Sequence, residues 1–83
     1  MVRLAVLDGV KIYIYPDEHP PSHIHAVSAE FVALVGIDPP QILQGSLPLA
    51  VERRVLEWVH IHRDELLEAW VRVGNKRKPE KLS

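Results

Sequence analysis

The distribution of glycine and proline divides this chain into two unlike halves. Six of the seven prolines and three of the four glycines lie within the first 48 residues, and neither residue occurs again until Gly74. Both residues interrupt helices, so a stretch free of them that could hold about seven helical turns predicts one long helix. With 83 residues there is room for one core. We therefore expect a single α+β domain over 1–73.

The first half predicts an antiparallel sheet of four or five strands. Asp8-Gly9 is a hairpin turn dipeptide between an apolar run at 4–7 and a segment at 10–15 in which apolar and polar residues alternate. The segment 16–22 contains three prolines and cannot continue a sheet, because proline has no amide donor. Further strands are predicted at 23–27, 31–37 and 41–44.

The second half predicts one helix over 48–73 that packs on the sheet. Ser46 is a capping or pre-capping residue, Pro48 suits the first turn, and Gly74 suits the end of a helix. Helical spacing gathers one apolar stripe: Val51, Val55, Trp58, Val59, Leu66, Ala69, Trp70 and Val73. The sequence thus predicts a four- or five-stranded antiparallel sheet packed against one long C-terminal α-helix. The expected core contains Phe31, Leu34 or Val35, Val51, Val55, Trp58, Leu66 and Trp70.

The apolar arc of this helix is wider than a small sheet can cover. Leu49, Leu56, Leu67 and Val71 extend it beyond the main stripe. Apolar surface of this kind is typical of a protein interface. We therefore expect these four residues at a homodimer contact or on a protein partner.

Four histidines form the chemically distinctive feature of the sequence. His23 and His25 share one face of a predicted strand, and the proline loop could fold His19 back toward them. If the same face receives the helix, His62 in the apolar stripe would complete a nitrogen-rich set suited to zinc or nickel. The competing interpretation is structural, in which the imidazoles pack and donate to backbone carbonyls.

Charge and composition limit the classes of partner that this chain is expected to bind. The net charge is −1, and the segment 74–83 holds four cations against Glu80, so the tail is +3 and the rest of the chain is −4. Duplex nucleic acid needs a basic face, so nucleic acid is expected only through this basic, flexible tail. The absence of cysteine removes disulfides and thiolate chemistry. No leader or membrane-spanning stretch is recognisable, which favours a cytoplasmic protein without membrane contact.

Four motifs span most of the chain: the segment 9–15, His-Pro-Pro-Ser-His-Ile-His at 19–25, Gly-Ser-Leu-Pro at 45–48, and Trp58 followed by His62-Arg63 in the predicted helix. In these motifs the chain resembles a bacterial family, domain-of-unknown-function family 4160. The family's histidines map onto His19, His23, His25 and His62, which leaves His60 outside the pattern. Ser22 is an insertion relative to the family, whose members run from proline straight into histidine.

The resemblance implies a protein encoded beside another small domain, in a two-gene module of the toxin and antitoxin kind. Two functions follow. The first is a protein-binding component of such a pair. The alternative is a metal- or histidine-dependent hydrolase, such as a ribonuclease, in which His23 or His25 acts as acid or base near neutral pH. Whether the protein is catalytic is left open at this level.

Overall fold

The computed structural model describes residues 2–16 and 19–74. Over these residues the chain forms an antiparallel sheet followed by two helices, which confirms the predicted α+β class. The five strands lie side by side in chain order, each antiparallel to the next. The strands are β1 Val2–Leu7, β2 Val10–Ile14, β3 His23–Val27, β4 Val32–Ile37 and β5 Pro40–Gly45, and the helices are α1 Leu49–Ile61 and α2 Arg63–Gly74.

The predicted hairpin turn is confirmed. Asp8 and Gly9 have φ angles of 48° and 83°, and they connect β1 to β2 through the pair Leu7 and Val10. Two consecutive positive φ angles match the right-handed twist of a two-residue hairpin. Glycine and aspartate tolerate this backbone region better than most residues do.

One face of the sheet carries the core. Ile24 and Ala26 of β3 are fully buried, and their cross-strand neighbours Val35 and Ala33 are buried with them. Buried residues of both helices join them in one cluster, which is completed by Leu4, Ala5, Leu7, Val10, Ile12, Ile14, Ile37, Leu47, Val55, Trp58, Val59, Leu66, Ala69 and Val73. Both helices therefore pack on this face.

The alternate residues of each strand point to the opposite face, which we call the open face. Strand pairing places Arg3, Tyr13, His25, Leu34 and Gln44 in one row across the sheet. A second row runs through Val6, Lys11, Val27 and Val32. His23 also lies on this face, opposite Gly36. Most of these side chains are half-buried or exposed, in contrast to their fully buried neighbours.

The prediction of one uninterrupted helix is wrong, because the helix breaks at His62. This residue has φ −103° and ψ 18°, and it ends α1 before α2 begins. The Trp58 carbonyl accepts from the His62 amide at 3.0 Å and also from the His62 ring Nδ1 at 3.0 Å. A side chain that competes for a helical carbonyl is a recognised cause of a kink. The His62 carbonyl then accepts from the Leu66 amide, which opens α2.

Phe31 was expected in the core, and that prediction is also wrong. The residue precedes β4 and leaves 36% of its surface exposed. Its amide donates to Ser28 Oγ at 3.0 Å, and its carbonyl accepts from the Ser28 amide at 2.8 Å. These bonds hold Phe31 in the β3–β4 turn. The other core predictions hold for Val35, Val55, Trp58 and Leu66, while Val51 and Trp70 are partly buried against the core.

The predicted basic tail at 74–83 lies outside the described residues, apart from Gly74, which ends α2. Neither α1 nor α2 is long and apolar enough to cross a membrane.

Candidate functional site

Three rings form a connected group on the open face. Tyr13 and His25 are paired across β2 and β3. Tyr15 follows β2, and its ring meets His25 edge-on with 4.2 Å between centroids and lies 6.4 Å from Tyr13. All three residues are half-buried. The strand period explains the grouping, since residues two apart on β2 share a face and His25 stands opposite them.

His23 connects this group to the helical side of the molecule. It is the first residue of β3 and only 7% exposed. Its ring centroid lies 5.4 Å from that of His25 and 5.0 Å from that of Trp70 on α2. Its Nδ1 donates to the Pro21 carbonyl at 2.8 Å. This bond satisfies a buried imidazole nitrogen and fixes the ring orientation.

His62 has a different environment from the strand histidines. Its ring packs against Trp58 with 4.7 Å between centroids, and its Nδ1 donates to the Trp58 carbonyl. Trp58 belongs to the core, on the face that receives the helices. His25 lies on the open face. The geometry thus brings His23 and His25 together and places His62 at the helix break.

The metal site predicted from His19, His23, His25 and His62 stays a prediction. Within residues 2–16 and 19–74, no group of three or more histidine and acidic side chains is arranged to hold a metal ion. His23 and His62 each use Nδ1 on a backbone carbonyl, so either would bind zinc or nickel through Nε2. His19 is exposed in the proline loop, and His60 is exposed on α1.

The four predicted partner-binding residues fall into two classes. Leu49 and Val71 leave 61% and 56% of their surfaces exposed. Leu56 and Leu67 are partly buried and pack against the core. The fold therefore buries more of this apolar arc than the sequence suggested. Leu49 and Val71 are the two of the four residues that stay in water.

Sequence reasoning missed a cleft of about 300 Å³ at the other end of the sheet from His23. It lies between the β1–β2 turn, the β3–β4 turn and the start of α1, and Phe31, Pro48 and Val51 are among its lining residues. Its acidic groups are Asp8 and Glu30, and Asp8 pairs with Arg54 at 3.3 Å. No signal in the sequence indicated this cleft, because Phe31 falls in a predicted strand and in the expected core.

Comparisons with known proteins give one match. No curated protein and no solved structure matches this chain. A family model described as a domain of unknown function (DUF4160) matches residues 9–71, which include the strands β2 to β5, all of α1 and most of α2. The match covers well over half of the chain, and the chain therefore belongs to the DUF4160 family.

Proposed function

We propose that this chain is a cytoplasmic bacterial protein that binds a second small protein, as one component of a toxin–antitoxin-like pair. The observation that carries the proposal is the exposure of Leu49 and Val71 on the helical side of the molecule, at 61% and 56%. Apolar side chains that continue a helical stripe and remain in water are typical of interface residues.

Each exposed residue continues an apolar stripe that is already packed at its inner end. Leu49 lies two turns before Leu56 on one face of α1, and Val71 lies one turn after Leu67 on α2. Leu56 and Leu67 contact the core. A partner seated on Leu49 and Val71 would therefore extend the core outward, and would bury apolar area in a domain too small to bury it alone.

Co-expression with the product of the neighbouring gene tests this proposal. The two proteins should co-purify, and light scattering should give the mass of a complex. The double variant Leu49→Ser with Val71→Ser should weaken the complex at least roughly tenfold, the loss expected for about 1.4 kcal/mol of buried apolar contact.

One control variant tests whether the loss is specific to the helical side. Val32→Ser removes a side chain that is 58% exposed on the open face, and this change should leave the complex intact. Leu56→Glu would be a poor test, because Leu56 contacts the core and its loss would disturb folding as well. A chain that stays monomeric beside the neighbouring protein would contradict the proposal. If the chain instead forms a homodimer and the double variant dissociates it, the partner at this surface would be a second copy of this chain and not a different protein.

A histidine-dependent hydrolase that cleaves RNA is the second candidate, and the accessibility of His25 favours it. This ring is half-buried on the open face beside Tyr15, where a strand of RNA can reach it. Histidine is a common acid or base near neutral pH. If the chain is such a hydrolase, His25→Ala should abolish cleavage of a labelled RNA. His60→Ala, which changes an exposed residue of α1, should not.

Elemental analysis separates the metal-dependent form of this candidate from the metal-free one. One zinc or nickel atom per chain, lost in His25→Ala and kept in His60→Ala, would support a metal site on the strand histidines. Cleavage that survives both His23→Ala and His25→Ala would remove the catalytic candidate.

A further inference from the structure

The open face combines rings with positive charge. Tyr13, Tyr15 and His25 form its connected ring group, with centroid separations of 6.4 Å and 4.2 Å along the group. Arg3 stands opposite Tyr13 on β1, and Lys11 precedes Tyr13 by two residues on β2. Both cations are exposed. The rings are therefore bordered by cations on the same face.

Among residues 2–16 and 19–74, no acidic group occupies a strand position of this face. Each residue that the described strands direct toward it is apolar, aromatic, amide-bearing or basic. The adjoining turns hold three described carboxylates: Asp8 lies 3.3 Å from Arg54, Asp38 lies 3.9 Å from Arg63, and Glu30 is exposed in the β3–β4 turn. The described strand positions of the open face thus carry Arg3 and Lys11 without a carboxylate, although the chain as a whole carries −1.

We propose that the open face binds single-stranded nucleic acid, with bases stacking on Tyr13, Tyr15 and His25 and with Arg3 and Lys11 contacting phosphates. Every base has a π face, so ring platforms bind single strands with little sequence preference, and a basic border follows the backbone. RNA-binding sheets use exposed rings on neighbouring strands in this way. The inference concerns the face opposite Leu49 and Val71, and it holds whether or not the strand is cleaved.

The charge of the rest of the molecule sets the strength of this binding. With the tail at +3, the remainder carries −4, so long-range attraction is weak and stacking must supply most of the affinity. Two phosphate contacts predict that log K falls with log salt with a slope of about −1.4 for a single strand. A duplex hides its base faces and offers no stacking, so it should bind far less well.

Fluorescence anisotropy with the full chain tests the proposal. The probes are a short labelled oligoadenosine RNA, its DNA counterpart, and the same RNA annealed to oligouridine. Both single strands should bind, and the duplex should not compete. Tyr13→Leu, which keeps apolar bulk on the strand and removes the ring, should weaken binding roughly 5- to 150-fold, while Tyr13→Phe should bind as the parent does.

Two charge variants form the matched pair. Lys11→Gln should reduce the salt slope by about 0.7, whereas Arg53→Gln, which removes an exposed cation from α1, should leave the slope unchanged. Equal binding by Tyr13→Leu and the parent would overturn the proposal, as would a preference for duplex. Loss of a homodimer or of a protein complex in Tyr13→Leu, without any binding of oligonucleotide, would assign the face to a protein and also overturn it.

Discussion

On strand β3 the two faces of the sheet can be compared residue by residue. Ile24 and Ala26 are fully buried under the helices, whereas His25 and Val27 are half-buried on the open face. The apolar set fixes the register, because a slip by one residue would move the histidines into the core. One short strand thus holds the fold together with one set of side chains and presents its chemistry with the other.

The two faces also differ in the residues that surround them. Around the helix-covered face, helix residues such as Leu56 and Leu67 contact the core. On the open face, Arg3 of β1 and Lys11 of β2 are exposed. Substitutions on the helix-covered face should therefore change the free energy of unfolding. Substitutions on the open face should change the affinity for single-stranded nucleic acid.

The largest effect is expected from Ile24. Its side chain is fully buried, so Ile24→Ala should lower the free energy of unfolding by about 2–5 kcal/mol and Ile24→Val by about 0.5–1.5 kcal/mol. The neighbouring change His25→Ala should cost about 1 kcal/mol or less, as is usual away from a core. Urea denaturation monitored by tryptophan fluorescence measures all three. If His25→Ala were as costly as Ile24→Ala, the division between the faces would fail.

A smaller effect is expected at the helix break. His62→Leu keeps an apolar contact with Trp58 and removes the hydrogen bond from Nδ1 to the Trp58 carbonyl, which should cost about 0.5–1.5 kcal/mol. Because His62 and His25 lie on different faces, His62→Leu and His25→Ala should have unfolding costs that add within about 0.5 kcal/mol. A strong coupling between them would instead support the shared histidine site predicted from the sequence.

The smallest effect concerns the ion pair between α1 and the β1–β2 turn. Arg54 and Asp8 are both at least half exposed at 3.3 Å, so Arg54→Gln should cost about 0–1 kcal/mol, and the cost should shrink as salt is added. Thermal unfolding at low and high salt measures it. A cost that does not respond to salt would indicate that the arginine stem packs on the turn rather than pairing with Asp8.

Several elements could be predicted because a local pattern determines them. The hairpin follows from Asp8-Gly9, which supplies two positive φ angles. The core residues Val55, Trp58 and Leu66 follow from helical spacing. The pairing of His23 with His25 follows from the strand period, and their rings do lie 5.4 Å apart.

The helix break and the position of Phe31 depend on contacts that no periodicity reveals. The break at His62 rests on a bond from its own ring to the Trp58 carbonyl, and Phe31 is held in a turn by Ser28. The sequence could have predicted which face of the sheet carries the histidines. Ile24 and Ala26 alternate with the histidines along β3, and this alternation indicates that the helices cover the face of Ile24 and Ala26 and not the face of the histidines.

Nuclear magnetic resonance spectra of the ring carbons and protons, recorded while oligoadenosine RNA is added, test the central claim most directly. The claim is that the open face binds single-stranded nucleic acid and that the face of the sheet under the helices is structural. The ring signals of Tyr13, Tyr15 and His25 should shift together, and those of Trp58 and His62 should stay in place. Shifts confined to Trp58 and His62, or an unchanged spectrum at saturating RNA, would contradict the account.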